Sequence, residues 1–183
     1  MPRCDALKRT ERETAAVRGY GAFITQCEPT LIARQKTGED VMKKERLIGV
    51  GRVVQFIPPY DDVRIISGQG TLAIEFLEQA EELGSKLDVL VTPVGGGGIL
   101  SGCAVAVKSM RSDIVVIGAE PLNANDAQRS FRSKQFVDAL PANTIADGLL
   151  TSLGHHTFPL ILQHVDEIFT VTDDQIMCVN TII

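Results

Sequence analysis

Residues 94–102 read Val94-Gly95-Gly96-Gly97-Gly98-Ile99-Leu100-Ser101-Gly102. They follow the apolar run LDVLVTPV (87–94) and open the segment ILSGCAVAVKSM (99–110). The first run is short, apolar and closed by glycine, which predicts a buried parallel strand. The second predicts a helix. Glycine lacks a Cβ, so consecutive backbone N–H groups can converge on an anion. A helix N-terminus adds free donors and the positive end of the helix dipole. Together they predict a phosphate cup that needs no charged side chain. A turn without a ligand is the alternative, and four glycines in series make it entropically costly.

No Gly-Lys-Ser/Thr follows the glycines, so the loop is not a Walker motif. A dinucleotide site stays open. Gly96, Gly98 and Ser101 match a G-x-G-x-x-small spacing. Glu120 ends the next strand about 20 residues on, where a ribose-binding acid sits in such sites.

Outward from the loop, strands and helices alternate. TLAIEFLEQAEELG (71–84) predicts an amphipathic helix closed by Gly84, and IVVIGAEP (114–121) a strand. A helix near 124–134 and a strand at EIFTVT (167–172) follow. Thr172-Asp173-Asp174-Gln175 has capping-box spacing and opens a last helix. Such alternation argues for an α/β fold with a parallel sheet.

Before the loop, residues 5–18 predict a polar helix ended by Gly19 and Gly21, and 22–29 a short strand. Residues 30–46 predict a charged helix and 47–57 a strand. Pro58-Pro59-Tyr60-Asp61-Asp62 breaks the pattern and marks a domain crossing.

The 183 residues are 44% hydrophobic and 22% charged, with a net charge of −5, ordinary for a soluble globular chain. No stretch approaches the roughly 18 apolar residues of a membrane helix. The start, MPRCDALKRTERE, is too charged for a secretory signal, so a cytoplasmic address is expected. Residues 1–57 hold 11 Lys/Arg against 7 Asp/Glu. Those charges alternate in sign with few aromatics among them, which argues for a solvated helix face rather than nucleic-acid binding. Cys4, Cys27, Cys103 and Cys178 show no metal-ligand spacing and read as reduced thiols, Cys103 in a core helix. His155, His156 and His164 read as surface or packing residues.

VGGGGILSG resembles the phosphate loop of the serine racemases and threonine dehydratases, fold-type II pyridoxal-phosphate (PLP) enzymes. The similarity extends to PPYDDVRIISGQGTLAIEFLEQ (58–79), GAEPLNAND (118–126), TIADGL (144–149) and DEIFTVTDDQI (166–176), in that order. MPRCDAL (1–7) and RGYGAFITQCEP (18–29) resemble the second half of the family's small domain. The resemblance implies a tryptophan synthase β-like α/β fold, incomplete at both ends. Residues 1–57 would be the rest of a small domain and 58–183 most of the large PLP-binding domain.

It also implies roles for single positions. Gly95, Gly96, Gly97 and Gly98, with the Ile99 amide, would hold the PLP phosphate, and Gly148 would pass close to the pyridine ring. Glu120, the Ala124 carbonyl and Asp126 match the family's divalent-cation site, an all-oxygen set suited to Mg²⁺ or Ca²⁺; a helix cap is the plainer role for Asp126. Tyr20 matches a position that contacts ATP in animal racemases, with simple packing as its plainer role. The intact enzyme would act on L-serine or L-threonine as a homodimer.

The family's catalytic lysine lies in an S-x-K-x-R-G motif that does not occur in these 183 residues. The loop that binds the substrate carboxylate and the serine that partners the pyridine nitrogen are missing too. This chain alone is therefore expected to be incompetent, an internal fragment of the fold, with a non-catalytic remnant of the family as the alternative. The stretches before Gly19 and between Pro29 and Pro58 look about two helical turns longer than in the family.

Overall fold

The computed structural model describes residues 14–22, 24, 25, 27, 31–47, 57–139 and 141–180. The chain divides into two compact units, Met1–Phe56 and Ile57–Ile183.

In the first unit, residues 14–19 are helical. Gly21 ends them with φ +79°, its N–H donating to the Arg18 carbonyl. That left-handed conformation is one only glycine adopts at little cost. Helix α1, Leu31–Leu47, follows as its charge pattern predicts. Residues 22, 24, 25 and 27 lie outside any strand. Of the strand expected over 47–57, Leu47 instead ends α1 and Ile57 lies in no strand. The rest of that strand, the remainder of the one expected over 22–29 and the helix start over 5–13 fall outside the described residues.

The second unit runs α2 (Val63–Glu82), β1 (Val89–Pro93), α3 (Gly98–Met110), β2 (Val115–Pro121), α4 (Asp126–Ser133), α5 (Thr157–His164), β3 (Glu167–Val171) and α6 (Asp173–Asn180). The strands form one parallel sheet in the order β1-β2-β3, with Val89 opposite Val115 and Ile117 opposite Glu167. Consecutive parallel strands need helical crossovers, and α3, α4 and α5 occupy those connections. The core gathers Leu90, Val94, Leu100, Cys103, Val107, Ile114, Val116 and Ile168. Cys103 is buried, as its helix predicts.

Two elements differ from the sequence reading. Helix α2 starts at Val63, two turns earlier than expected, capped by Asp62, which accepts the Arg64 N–H at 2.8 Å. Gly68 and Gly70 disguised this start. Gly70 is there for close packing: a Cβ on it would lie 3.0 Å from the Gly102 carbonyl oxygen of α3. Helix α5 was not anticipated at all. By contrast, the capping box at Thr172 forms as predicted, the Gln175 N–H donating to Thr172 Oγ1 and the Thr172 N–H to Gln175 Oε1.

One sheet face is bare. Val89, Val91, Val115 and Phe169 are each more than a third exposed, although parallel sheets are normally covered on both sides. Among the described residues no helix is long and apolar enough to cross a membrane.

Candidate functional site

Strand β1 and helix α3 meet in the glycine turn. Val94 still donates its N–H across the sheet, to the Ala119 carbonyl at 2.9 Å. The chain then leaves the sheet, and Gly97 takes φ +84° as N-cap of α3. The turn is tightly hemmed in. A Cβ on Gly96 would run into the Tyr60 ring, and one on Gly98 would stand 2.9 Å from Tyr60 Cβ. On Gly95 it would lie 2.9 Å from Thr151 Oγ1 and 3.3 Å from Leu149 Cα. Glycine is required here because other chain already fills the Cβ positions.

Among the described residues, no protein acceptor takes the N–H groups of Gly95 to Leu100. Six consecutive donors at a helix N-terminus form a set that fits a phosphate group without any lysine or arginine. Gly148 lies in the short helical turn Asp147–Leu149, where a Cβ would meet nothing within 4 Å. Its neighbour Leu149 touches Gly95, so the structure brings residue 148 to the loop and leaves open space over it.

At the end of β2 the chemistry is reversed. Glu120 is 1% exposed, and both of its carboxylate oxygens are used. Oε1 accepts the Ala127 N–H at 3.0 Å and Oε2 the Gln128 N–H at 2.9 Å, so Glu120 caps α4. Burial pushes its carboxyl up to about 8 against the pull of those two amides. Asp126 is also buried; its pKa is raised by burial, while its Oδ2 accepts the Leu153 N–H at 3.1 Å. Asp126 and Ala124 share the wall of a cavity of about 350 Å³, together with Asn123, Asn125, Arg129 and Asn143. Glu120 does not line it. Two buried carboxylates without an ion pair among the described residues fit a divalent cation electrostatically, each oxygen keeping a second lone pair. The described residues hold no group of three His, Cys, Asp or Glu, so carbonyls and water would complete any shell.

The dinucleotide alternative loses its ribose-binding acid in this geometry. A ribose-binding acid must face the crevice, and Glu120 is enclosed with both oxygens on backbone amides.

Tyr20 is 90% exposed in the first unit. His155 stacks on Phe136 with ring centroids 4.8 Å apart, and His156 Nδ1 lies 3.4 Å from Asp61.

Three residues at the glycine turn escaped sequence reasoning. Tyr60 packs over Gly96 and Gly98; burial raises its pKa, and a hydrogen bond with Ser152 lowers it in part. Asp61 accepts the N–H groups of His155, His156 and Thr157, capping α5 from more than 90 residues away. Thr157 reaches back to the loop and donates its hydroxyl to the Gly96 carbonyl at 2.8 Å. Tyr60 and Asp61 were visible only as neighbours of two prolines within the family-like segment 58–79. Thr157 gave no signal.

A parallel α/β sheet with an uncharged anion cup at the carboxyl end of a strand defines a phosphate-anchoring domain of the cofactor-binding kind. The family model described as "Pyridoxal-phosphate dependent enzyme" matches residues 6–180, and the chain belongs to that family. It is 42% identical to a serine racemase of Dictyostelium discoideum over 88% of this chain and 47% of that protein. It is 38% identical to a β-hydroxyaspartate dehydratase of Paracoccus denitrificans over 97% of this chain and 51% of that one. Among solved structures, a maize serine racemase superposes with a TM-score of 0.81 at 33% identity, over 93% of this chain and 50% of the other. The fold is therefore that of the fold-type II PLP enzymes. The chain spans about half the length of the relatives it matches.

Proposed function

We propose that this chain is the cofactor-anchoring part of a PLP-dependent ammonia-lyase or racemase acting on a small β-hydroxy amino acid. The open donor set from Gly95 to Leu100 carries the reading. These amides, with the Ile99 amide among them, would bind the phosphate, and Gly148 would leave room for the ring. When bound, PLP serves as the electron sink for reactions at the substrate's Cα. The chain's own share is to hold and orient that group and to exclude water beneath it. Relatives named for serine, threonine and 3-hydroxyaspartate share a hydroxyl on Cβ. L-Serine and L-threonine are accordingly the first substrates to test on a complete enzyme.

Residues 1–57 correspond to the rest of a small domain and 58–183 to most of the large one. Val89, Val91 and Phe169 form a face that the remaining half of a family-length chain would cover. Glu120, the Ala124 carbonyl and Asp126 would hold Mg²⁺ or Ca²⁺. Tyr20, freely exposed, is available to an ATP effector, and a homodimer is the expected assembly.

Titrating the purified chain with PLP and with NAD tests the assignment. Saturable binding of PLP with none of NAD is expected; tight NAD binding without a response to PLP would overturn it. No pyruvate is expected from L-serine with the PLP-loaded chain, because no S-x-K-x-R-G lysine is present.

A further inference from the structure

We propose that Thr157, with Ser101 as its companion, is a positioning residue that aims the donors of the phosphate cup. The inference rests on the phosphate reading of the glycine turn. It starts from peptide geometry. In a trans peptide the C=O of one residue and the N–H of the next point in opposite directions. Whatever holds the Gly96 carbonyl therefore orients the Gly97 N–H, and whatever holds the Gly97 carbonyl orients the Gly98 N–H. A run of glycines has no side chains to fix these planes and the widest choice of backbone angles.

The structure supplies the fixing from behind. The Gly96 carbonyl accepts the Thr157 hydroxyl at 2.8 Å and the Gly154 N–H at 3.2 Å. The Gly97 carbonyl accepts the Ser101 hydroxyl at 2.7 Å and the Ser101 N–H at 2.9 Å. Thr157 and Ser101 are both fully buried. Both carbonyls are thus pulled into the protein, and both following N–H groups are turned away from it. Thr157 is held in its turn by Asp61, which accepts its N–H at 3.4 Å, and by the Gly154 N–H, which donates to its Oγ1 at 3.0 Å. Neither hydroxyl faces the ligand. Their effect is to spare a bound phosphate ester the cost of ordering the loop.

Calorimetric titration of the full 183-residue chain with pyridoxine 5′-phosphate and with pyridoxine tests this. Neither compound has an aldehyde, so no lysine reacts. Their affinity ratio reports the phosphate contacts alone, which a general loss of stability does not move. The unmodified chain should favour the phosphate ester. Thr157→Val keeps the shape, removes the hydroxyl, and should shrink the ratio about tenfold, the value of one misaligned charge-assisted hydrogen bond. Thr157→Ser should restore it. Ser101→Ala should shrink it about threefold, since the Ser101 N–H still holds its carbonyl at 2.9 Å, closer than the 3.2 Å at which the Gly154 N–H holds that of Gly96, and it carries the test if Thr157→Val does not fold. An undiminished ratio in the folded variants overturns the positioning role while leaving the phosphate reading intact. An unmodified chain that does not distinguish the two compounds overturns that reading and this inference with it.

Discussion

The turns that leave β1 and β2 lie side by side at the same end of a parallel sheet, and each opens a helix. Their electrostatics are opposite. The β1 turn has no charged side chain, and among the described residues nothing takes the donors at the start of α3. The β2 turn buries Glu120, whose two oxygens take the first donors of α4. A helix N-terminus must place its free N–H groups somewhere. One turn satisfies them with the protein's own carboxylate; among the described residues the other leaves them open. The same local architecture thus leaves its donors capped in one case and open in the other, and the deciding factor is whether an internal acceptor reaches the helix.

The sharpest way to break this contrast is Glu120→Ala. It strands two buried N–H groups, each costing about 1–3 kcal/mol, and opens a cavity, so a loss of about 3–5 kcal/mol is expected in urea unfolding. A loss under about 1 kcal/mol would mean that α4 does not depend on its internal cap, contrary to the cost typical of such groups. The β1 turn has no side chain to delete, so the matching experiment adds one. Gly96→Ala forces a Cβ into the Tyr60 ring. It should cost about 2 kcal/mol by overpacking and remove measurable binding of pyridoxine 5′-phosphate.

Smaller effects sharpen the comparison. If the β2 turn takes a cation, Mg²⁺ or Ca²⁺ at about ten times its Kd should stabilise the chain by about 1.4 kcal/mol, seen as a rise in Tm. The Glu120→Gln/Asp126→Asn variant should lose that rise, and a rise kept in full removes both residues from the site. The opposite end of the sheet provides the control. Asp166 is paired there with Lys108 at 2.7 Å and accepts the Val116 N–H at 2.7 Å. Burial raises its pKa, but these two partners bring it net below the usual value. A carboxyl lowered in this way stabilises the fold above its unfolded pKa, and the contribution disappears as pH falls through the folded one. Asp166→Asn should therefore cost about 0.5 kcal/mol at about pH 7, after allowance for solvent screening of a partly exposed pair, and nothing below that acid transition. Binding of pyridoxine 5′-phosphate should not change.

Local signals explain which parts were legible in the sequence. The apolar run before the glycines, the glycines themselves and the Thr172 capping box each act within a few residues, so β1, α3 and α6 appear where expected. The Asp126 cap alternative is corrected by Glu120, which caps α4 from seven and eight residues upstream, while Asp126 accepts from Leu153. Helix α5 stayed hidden because its cap, Asp61, comes from more than 90 residues earlier. Helix α2 was cut short because Gly68 and Gly70 look like breakers until α3 is laid against them.

The sequence by itself determined the family, the parallel α/β class and the presence of a glycine turn between β1 and α3, because hydrophobic period and glycine content act through the chain's own neighbours. Tertiary structure alone decided which carbonyls are held, which donors remain free and which carboxylates are spent as caps. Those outcomes depend on Thr157 meeting Gly96 and Asp61 meeting α5, encounters between residues about 60 and more than 90 positions apart that no local pattern encodes.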